Sequence, residues 1–453
     1  MRIHAAQAYL PGGAAENVAV SIDGATIRAV ETGAAPAPGD IRVDALIPGM
    51  SNLHSHAFQR GFAGLTEHRG ESRDSFWTWR EMMYRFALAL SPDEMQAIVA
   101  LACVEMLEAG YTRLGEFHYL HHGTDGRPYA DPAEMSARIF AAAARTGIAL
   151  THLPVFYAHG GFGPAPAGEG QRRFLHSPDA FRALMERCDQ MLTRPQDRLG
   201  LAAHSLRGAT VGEIATLAED FPGRPFHIHV AEQLREVEDC LAHTGARPVA
   251  WLLDNAPVGP DWCLIHATHL DAAEITGIAR AGAVAGLCPV TEANLGDGIF
   301  PAGPFLDQGG CFGIGTDSNI RISLSEELRL LEYSQRLASH ERNLFAGAGG
   351  STGERLFTAA LEGGARALGV GARENAAAEI AVGAPADLVG LRDSLSPGAA
   401  PARLLDRWIF GPDLRVSDVW AWGVRQVEGG RHIARDAIRA EAAAALRTIL
   451  HRA

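Results

Sequence analysis

The chain has 453 residues, 47% hydrophobic and 21% charged, which are values of an ordinary folded globule and exclude a disordered, collagenous or coiled-coil protein. A formal net charge of −13 argues against nucleic acid or an anionic membrane as partner, because both select for clustered positive charge. The length is far beyond one minimal core and suits a large barrel with a small accessory domain.

At the N-terminus, MRIHAAQAYLPGG shows no basic segment leading into an apolar one, and no apolar run approaches the roughly 20 residues of a membrane span, so the chain is expected in the cytoplasm. From Asn17 to Val43 apolar and polar residues alternate around a Gly turn, which predicts short antiparallel strands. Short apolar runs then alternate with helical stretches: Leu46–His56, Thr112–Tyr119, Ile148–Ala158, Leu199–His204, Pro225–Ala231, Trp262–His269, Ala283–Pro289 and Phe312–Asp317. About eight such βα units predict a parallel (β/α)8 barrel, and each run ends in residues capable of catalysis.

Helix boundaries support this register. Ser91-Pro-Asp-Glu94 sets an N-cap, a first-position Pro and a third-position Glu, with Gly110 closing the helix, and Ser177-Pro178-Asp179 repeats the entry signal. GGFGPAPAGEGQ reads as a flexible loop on the barrel top. Strand texture returns at Ala384–Leu391 and Val416–Val427. The expected organisation is therefore residues 1–47 as the first part of a small β-sandwich domain, 48–378 as the catalytic barrel, and 379–453 as the remainder of the small domain plus a terminal helix.

Two composition details constrain the chemistry. Six cysteines, at 103, 188, 240, 263, 288 and 311, are scattered without a CxxC pair, as expected of buried thiols in a reducing compartment. The chain contains no lysine, so all 40 basic residues are arginine.

His54 and His56 stand at i and i+2, so on a strand both rings project to one side, as two ligands of one ion must. An isolated HxH among 19 histidines is weak evidence. Three further strand ends strengthen it: His229 with Glu232 three residues later, His266, and Asp317. In a barrel these ends converge on one face, where imidazoles and a carboxylate form a zinc-like set of donors with a position left for water. Asp317, helped by His266, can take the proton of the attacking water, and Glu232 can protonate a substrate nitrogen so that ammonia leaves.

Around the same barrel top the sequence offers Gln59, Arg80, Tyr119, His204 and Arg207. Two arginine forks with three neutral polar groups suit carboxylates, which points to an acyclic diacid carrying an amidine. Taken singly, Arg80 could be a helix-surface residue and Tyr119 core; His121 and His122 read as loop residues, not ligands.

The HxH, the strand-five and strand-six histidines and the strand-eight Asp resemble the amidohydrolase superfamily along essentially the whole chain. That resemblance implies that His54, His56, His229 and Asp317 hold the metal, with His266 an acid–base and orienting group or, alternatively, a group that supports the ligands from behind. Many members bridge two metals with a carbamylated lysine; without lysine, and unless a glutamate or cysteine substitutes, one zinc ion per subunit is expected. Local texts NLHSHAFQR, FWTWREMMY, GEFHY, HSLR, HVAEQ and TDSN jointly resemble the formimidoylglutamate deiminase family. Membership would imply hydrolysis of N-formimino-L-glutamate to N-formyl-L-glutamate and ammonia in histidine degradation by a homodimer. It would also imply that Gln59, Arg80, Tyr119, His204 and Arg207 hold the glutamate portion while Glu232, His266 and Asp317 face the formimino carbon. The competing readings are a zinc deaminase of a purine, pterin or related cyclic amidine and, from another class, a non-catalytic barrel used for binding.

Overall fold

A computed structural model describes residues 1–69, 75–370, 379–395 and 401–452. The chain opens with β1 (Arg2–Leu10), β2 (Gly13–Asp23), β3 (Thr26–Glu31) and β4 (Ile41–Pro48). β1 pairs antiparallel with β2 and β2 with β3, while β4 lies parallel to β1 on its other edge.

Eight barrel strands follow: β5 (Met50–Ser55), β6 (Tyr111–His118), β7 (Ala149–Phe156), β8 (Leu201–Ser205), β9 (Phe226–Val230), β10 (Trp262–His266), β11 (Val284–Leu287) and β12 (Cys311–Ile314). They are parallel and lie in sequence order, and a parallel bridge between Ser55 and Asp317 brings the last strand back to the first. The alternation of apolar runs with helices is thus a nearly closed barrel. Its strands are buried along their length because helices cover the outside while side chains fill the axis, which is why they read as continuous apolar runs.

The first expected strand is in fact two. Leu46 to Pro48 complete β4 in the small sheet, and the chain passes Gly49 before entering the barrel as β5. A side chain at Gly49 would collide with Thr112, so the sharp passage between the two sheets requires glycine.

The chain's end returns to the small sheet as β13 (Leu388–Asp393), β14 (Leu414–Ala421), β15 (Val424–Glu428) and β16 (Arg431–His432). β13 runs antiparallel to β4, with Leu388 opposite Pro48, so both chain ends build one eight-stranded sheet. The expected domain boundary at residue 378 falls at the end of 371–378, outside the described residues.

Helices obey their capping signals. In α1 (Phe76–Ala89) and α2 (Pro92–Ala109) the clearest case is α2, where Ser91 caps, Glu94 returns a bond to the Ser91 N–H, and Gly110 adopts φ 98° at the exit. Ser177 caps the helix Pro178–Asp189 by accepting the Ala180 N–H. Residues 160–171 form a barrel-top loop with a bridge between Gly161 and Ala165. No helix among the described residues is long and apolar enough to cross a membrane, and all six cysteines are free.

Close approach of the outer helix Thr352–Ala367 to β12 is what seals the barrel wall. A methyl group at Gly363 would overlap the Phe312 carbonyl and the Gly313 amide, and one at Gly313 would meet both Leu53 and the Gly364 backbone. Gly363→Ala is therefore expected to destabilise the fold by about 2–3 kcal/mol through overpacking. The check is a melting temperature several degrees below that of the unaltered protein, and an unchanged melt would contradict the tight wall.

Candidate metal centre and active site

The C-terminal ends of five barrel strands meet at one point. His54 lies on β5 and His56 immediately after it, and the period of two turns both rings inward. The seam between β5 and β12 locks the opposite side: the His54 carbonyl accepts the Thr316 and Asp317 N–H groups at 3.0 Å each, and the His56 N–H donates to the Asp317 carbonyl at 2.9 Å. Asp317 stands at φ 42° and His266 at φ 66°, left-handed conformations that cost roughly 1–3 kcal/mol each and here aim side chains into the site.

His54, His56, His229 and Asp317 are buried, and their donor atoms all lie within 4.8 Å of one another. The Nε2 atoms of His229 and His54 are 3.1 Å apart, those of His56 and His229 3.3 Å, and Asp317 Oδ1 is 3.3 Å from Nε2 of both His54 and His56. His56 Nδ1–H donates to the Phe117 carbonyl and His229 Nδ1–H to the His204 carbonyl, each at 2.9 Å. Both rings therefore present bare lone pairs on Nε2, and two lone pairs facing each other at that distance repel. A cation between them removes the conflict. Tetrahedral zinc bonds of about 2.0–2.1 Å put neighbouring donor atoms about 3.3 Å apart, which matches the spacing found. Burial pushes the His54 imidazole down to about 3 and lowers His56 and His229 as well, so all three are neutral, as ligands must be.

Beside this set His266 and Glu232 form the titrating pair. His266 Nε2 is 3.7 Å from Glu232 Oε1 and 3.9 Å from Asp317 Oδ2, and on the other side its Nδ1 is 3.3 Å from Glu292 Oε1. Burial alone would lower His266, but the carboxylates of Glu232, Glu292 and Asp317 outweigh it and push the ring up to about 10. Burial drives the Glu232 carboxyl up to about 7 against the pull of His266 and Arg207. Glu232 is thus poised to gain or lose a proton near neutrality. His266, Cys288 and Glu292 also lie close enough to hold an ion, but His266 Nδ1 already pairs with Glu292 there at 3.3 Å.

One cavity connects these groups to the residues expected to bind substrate. Gln59, Arg80, Tyr119, His204 and Arg207 line it together with His56, His229, Glu232, His266 and Asp317, while His54 lies behind the surface. Gln59 donates to the Tyr119 hydroxyl at 2.9 Å and leaves its own carbonyl oxygen buried without a partner among the described residues. Arg207 is 4.0 Å from Glu232 and 3.9 Å from Glu236, in ion-pair range but too far for hydrogen bonds, and its Nη1 has no hydrogen-bond partner among the described residues. Glu232 and Asp317 line the cavity beside the metal donors, and the guanidiniums of Arg80 and Arg207 line it as well.

His121 and His122 lie outside this cavity, donating to the Val155 and Leu175 carbonyls and packing against His176. Several contributors escape a reading of motifs. Met83 and Tyr84 line the cavity one turn beyond Arg80, a helical spacing that would have identified them. Tyr157, which packs on His204 at 4.4 Å, and Glu236, which accepts the N–H groups of Ala231 and Glu232, carry no comparable signal.

Comparison with known proteins agrees with this geometry. The family described as "Amidohydrolase family" matches residues 45–413, and the domain described as "Formimidoylglutamate deiminase HutF, N-terminal domain" matches residues 1–44. A formimidoylglutamate deiminase from Pseudomonas aeruginosa is 51% identical over 437 residues, 95% of this chain and 95% of that protein. An amidohydrolase crystal structure from Brucella melitensis superposes with a TM-score of 0.95 at 53% identity, covering 99% of both chains. A zinc-bound adenosine deaminase from Xanthomonas campestris superposes with a TM-score of 0.82 at 23% identity, covering 99% of this chain and 98% of that one, which shows a shared fold.

If the four donors hold an ion, binding stabilises the folded state by mass action, about 2.7 kcal/mol at a free concentration roughly 100 times Kd. A chelator is expected to lower the melting temperature and added zinc to restore it, with His229→Ala indifferent to both. A melt unmoved by chelation would count against the metal centre.

Proposed function

We propose, from the premise that this chain belongs to the amidohydrolase family and within it to the formimidoylglutamate deiminases, that its site hydrolyses N-formimino-L-glutamate to N-formyl-L-glutamate and ammonia, a step of histidine degradation. The observation that carries this reading is the single cavity in which the buried metal donors and Glu232 face two arginines. An amidine joined to two carboxylates is complementary to those groups. A purine or pterin has no carboxylate pair to offer the arginines.

The residues that would hold zinc are His54, His56, His229 and Asp317; when bound, the ion acidifies water so that a nucleophile exists near neutral pH. The absence of lysine supports one ion per subunit, since no carbamylated lysine can bridge a pair unless a glutamate or cysteine takes that place. The formamidinium cation is drawn to Glu232 and Asp317, and its two carboxylates to Arg80 and Arg207, with Gln59, Tyr119 and His204 as neutral donors. His204 is neutral because burial, reinforced by Arg207, depresses its basicity.

Asp317 accepts the proton of the attacking water, and the His266 ring beside it balances the charge. Glu232 delivers a proton to the terminal amino nitrogen of the tetrahedral adduct. That C–N bond then breaks, ammonia departs, and the adduct's hydroxyl proton passes to the Glu232 carboxylate, leaving N-formyl-L-glutamate. Protonation of the other nitrogen would release formamide and glutamate instead, so the position of Glu232 decides the product. The reading extends to a cytoplasmic homodimer with a small dicarboxylate as its partner.

Zinc-loaded protein mixed with N-formimino-L-glutamate is expected to release ammonia, with N-formyl-L-glutamate identified by mass, and to leave guanine, adenosine and cytosine untouched. Turnover of a ring substrate alone would discard the diacid pocket. Asp317→Asn is expected to lower kcat by about 10²–10⁴, the usual contribution of a positioned proton acceptor. Arg207→Ala should chiefly raise KM, by roughly 10- to 100-fold, because hydrogen bonds to charged groups contribute about 1.5–3 kcal/mol. An Arg207→Ala enzyme with unchanged KM would refute the carboxylate pocket.

A further inference from the structure

Trp77 sits in the first turn of α1 and does not itself line the cavity, yet three guanidinium groups gather on its indole. The Cζ atoms of Arg80, Arg235 and Arg207 lie 4.5, 4.7 and 5.9 Å from the ring centroid. They arrive from three separate stretches of chain: α1 itself, the loop after β8, and the helix Leu234–Thr244. Three like charges so close repel one another, and the neighbouring acids answer only in part. Arg207 reaches Glu232 and Glu236 at 4.0 and 3.9 Å, Arg235 reaches Asp239 at 3.7 Å, and Arg80 has no ion pair among the described residues. What remains to hold the cations is the negative face of the indole, with Tyr84 assisting Arg80 at 5.5 Å. Trp77 is only half-buried, so packing alone does not account for its position.

We infer that Trp77 is a positioning residue for dicarboxylate recognition: its ring holds Arg80 and Arg207 together and turned toward the cavity, so that the two carboxylates of the substrate meet preformed partners. Arg235, largely exposed, is a third cation anchored on the same ring. The inference rests on the substrate reading given above and concerns binding, not the chemical step. Preformed guanidiniums spare the substrate the cost of gathering two like charges, so loss of the ring should weaken ground-state and transition-state binding alike.

The test measures kcat and KM for N-formimino-L-glutamate and, independently of turnover, the calorimetric Kd of N-formyl-L-glutamate. It uses the zinc-loaded enzyme, Trp77→Leu, Trp77→Phe, Arg80→Ala and the double variant Trp77→Leu/Arg80→Ala. Trp77→Leu is expected to raise KM and Kd about tenfold, as two cation–π contacts would, with kcat within about twofold. Trp77→Phe keeps an aromatic face and should stay within about threefold of the unaltered enzyme. In the Arg80→Ala background the Trp77→Leu step should shrink to about threefold or less, because the two side chains act as one unit. An undiminished step there, or a fall in kcat with Kd unmoved, overturns the inference. If the unaltered enzyme binds N-formyl-L-glutamate but turns nothing over, the reaction assignment fails and the Kd series alone decides the role of Trp77. If it does not bind the dicarboxylate at all, both fail.

Discussion

The backbone seam between the first and last barrel strands is the constraint on which the site depends. His54 and Asp317 are distant in sequence, but one carbonyl, that of His54, accepts two successive N–H groups from Thr316 and Asp317, and the His56 N–H returns the bond. Side chains stiffen the same seam. Asn52 exchanges two hydrogen bonds with Thr316, and Asn319 donates to the Asp317 and His56 carbonyls and to Ser55. The backbone itself therefore fixes the ligand-bearing positions at 54, 56 and 317. The left-handed conformations of Asp317 and Asn319 persist because this network over-determines them.

Convergence brings an electrostatic difficulty that the surrounding residues resolve. Glu232, Glu236, Glu292 and Asp317 are all buried within a few residues' width of one another. Burial of so many carboxylates is tolerable only if each is paired or bonded. Glu292 receives the Cys288 N–H and faces His266; Glu236 receives the Ala231 and Glu232 N–H groups and faces Arg207. Glu232 has weaker company, long contacts to His266 and Arg207, and it is the one whose proton affinity is moved to about 7. Among these four, the acid proposed to exchange a proton is the one held only by long contacts.

How much of this was legible in the sequence follows from which interactions are local. Apolar runs ending in His, Glu or Asp mark strands that deliver side chains to one face, so the barrel and the converging residues 54, 56, 229, 266 and 317 could be named before any fold was known, and the resemblance to amidohydrolases singled out 54, 56, 229 and 317 as the metal donors. Ser91, Glu94 and Gly110 were legible because capping is settled within a single turn. Gly49 was hidden inside an unbroken apolar run, and only the clash with Thr112 reveals that the chain leaves one sheet there and enters another. Glu236 and Glu292 were hidden for the same reason: their partners are backbone amides and a ring that only tertiary folding brings near. Trp77 reads in sequence as one aromatic among several in FWTWREMMY, and its significance lies in two arginines that arrive from beyond residue 200.

The two halves of the site have separate origins in the chain, and that separation bears on how such a barrel acquires a substrate. The metal donors, Glu232 and His266 all stand at or just past strand ends, where the wall of the barrel holds them rigidly. Arg80, Trp79, Met83 and Tyr84 come instead from α1, a helix inserted between the first strand and α2, and Tyr84 also meets Gly170 of the long loop 160–171. Strand ends therefore place the donors and the proton-carrying groups together with Tyr119, His204 and Arg207, while the inserted helix adds Arg80 and the aromatic wall beside it. Changing α1 would alter the carboxylate end without disturbing the β5–β12 seam, because the seam's bonds run through residues 52–56 and 316–319 alone. A barrel built in this way can keep one hydrolytic centre while the helix and loops around it change the pocket.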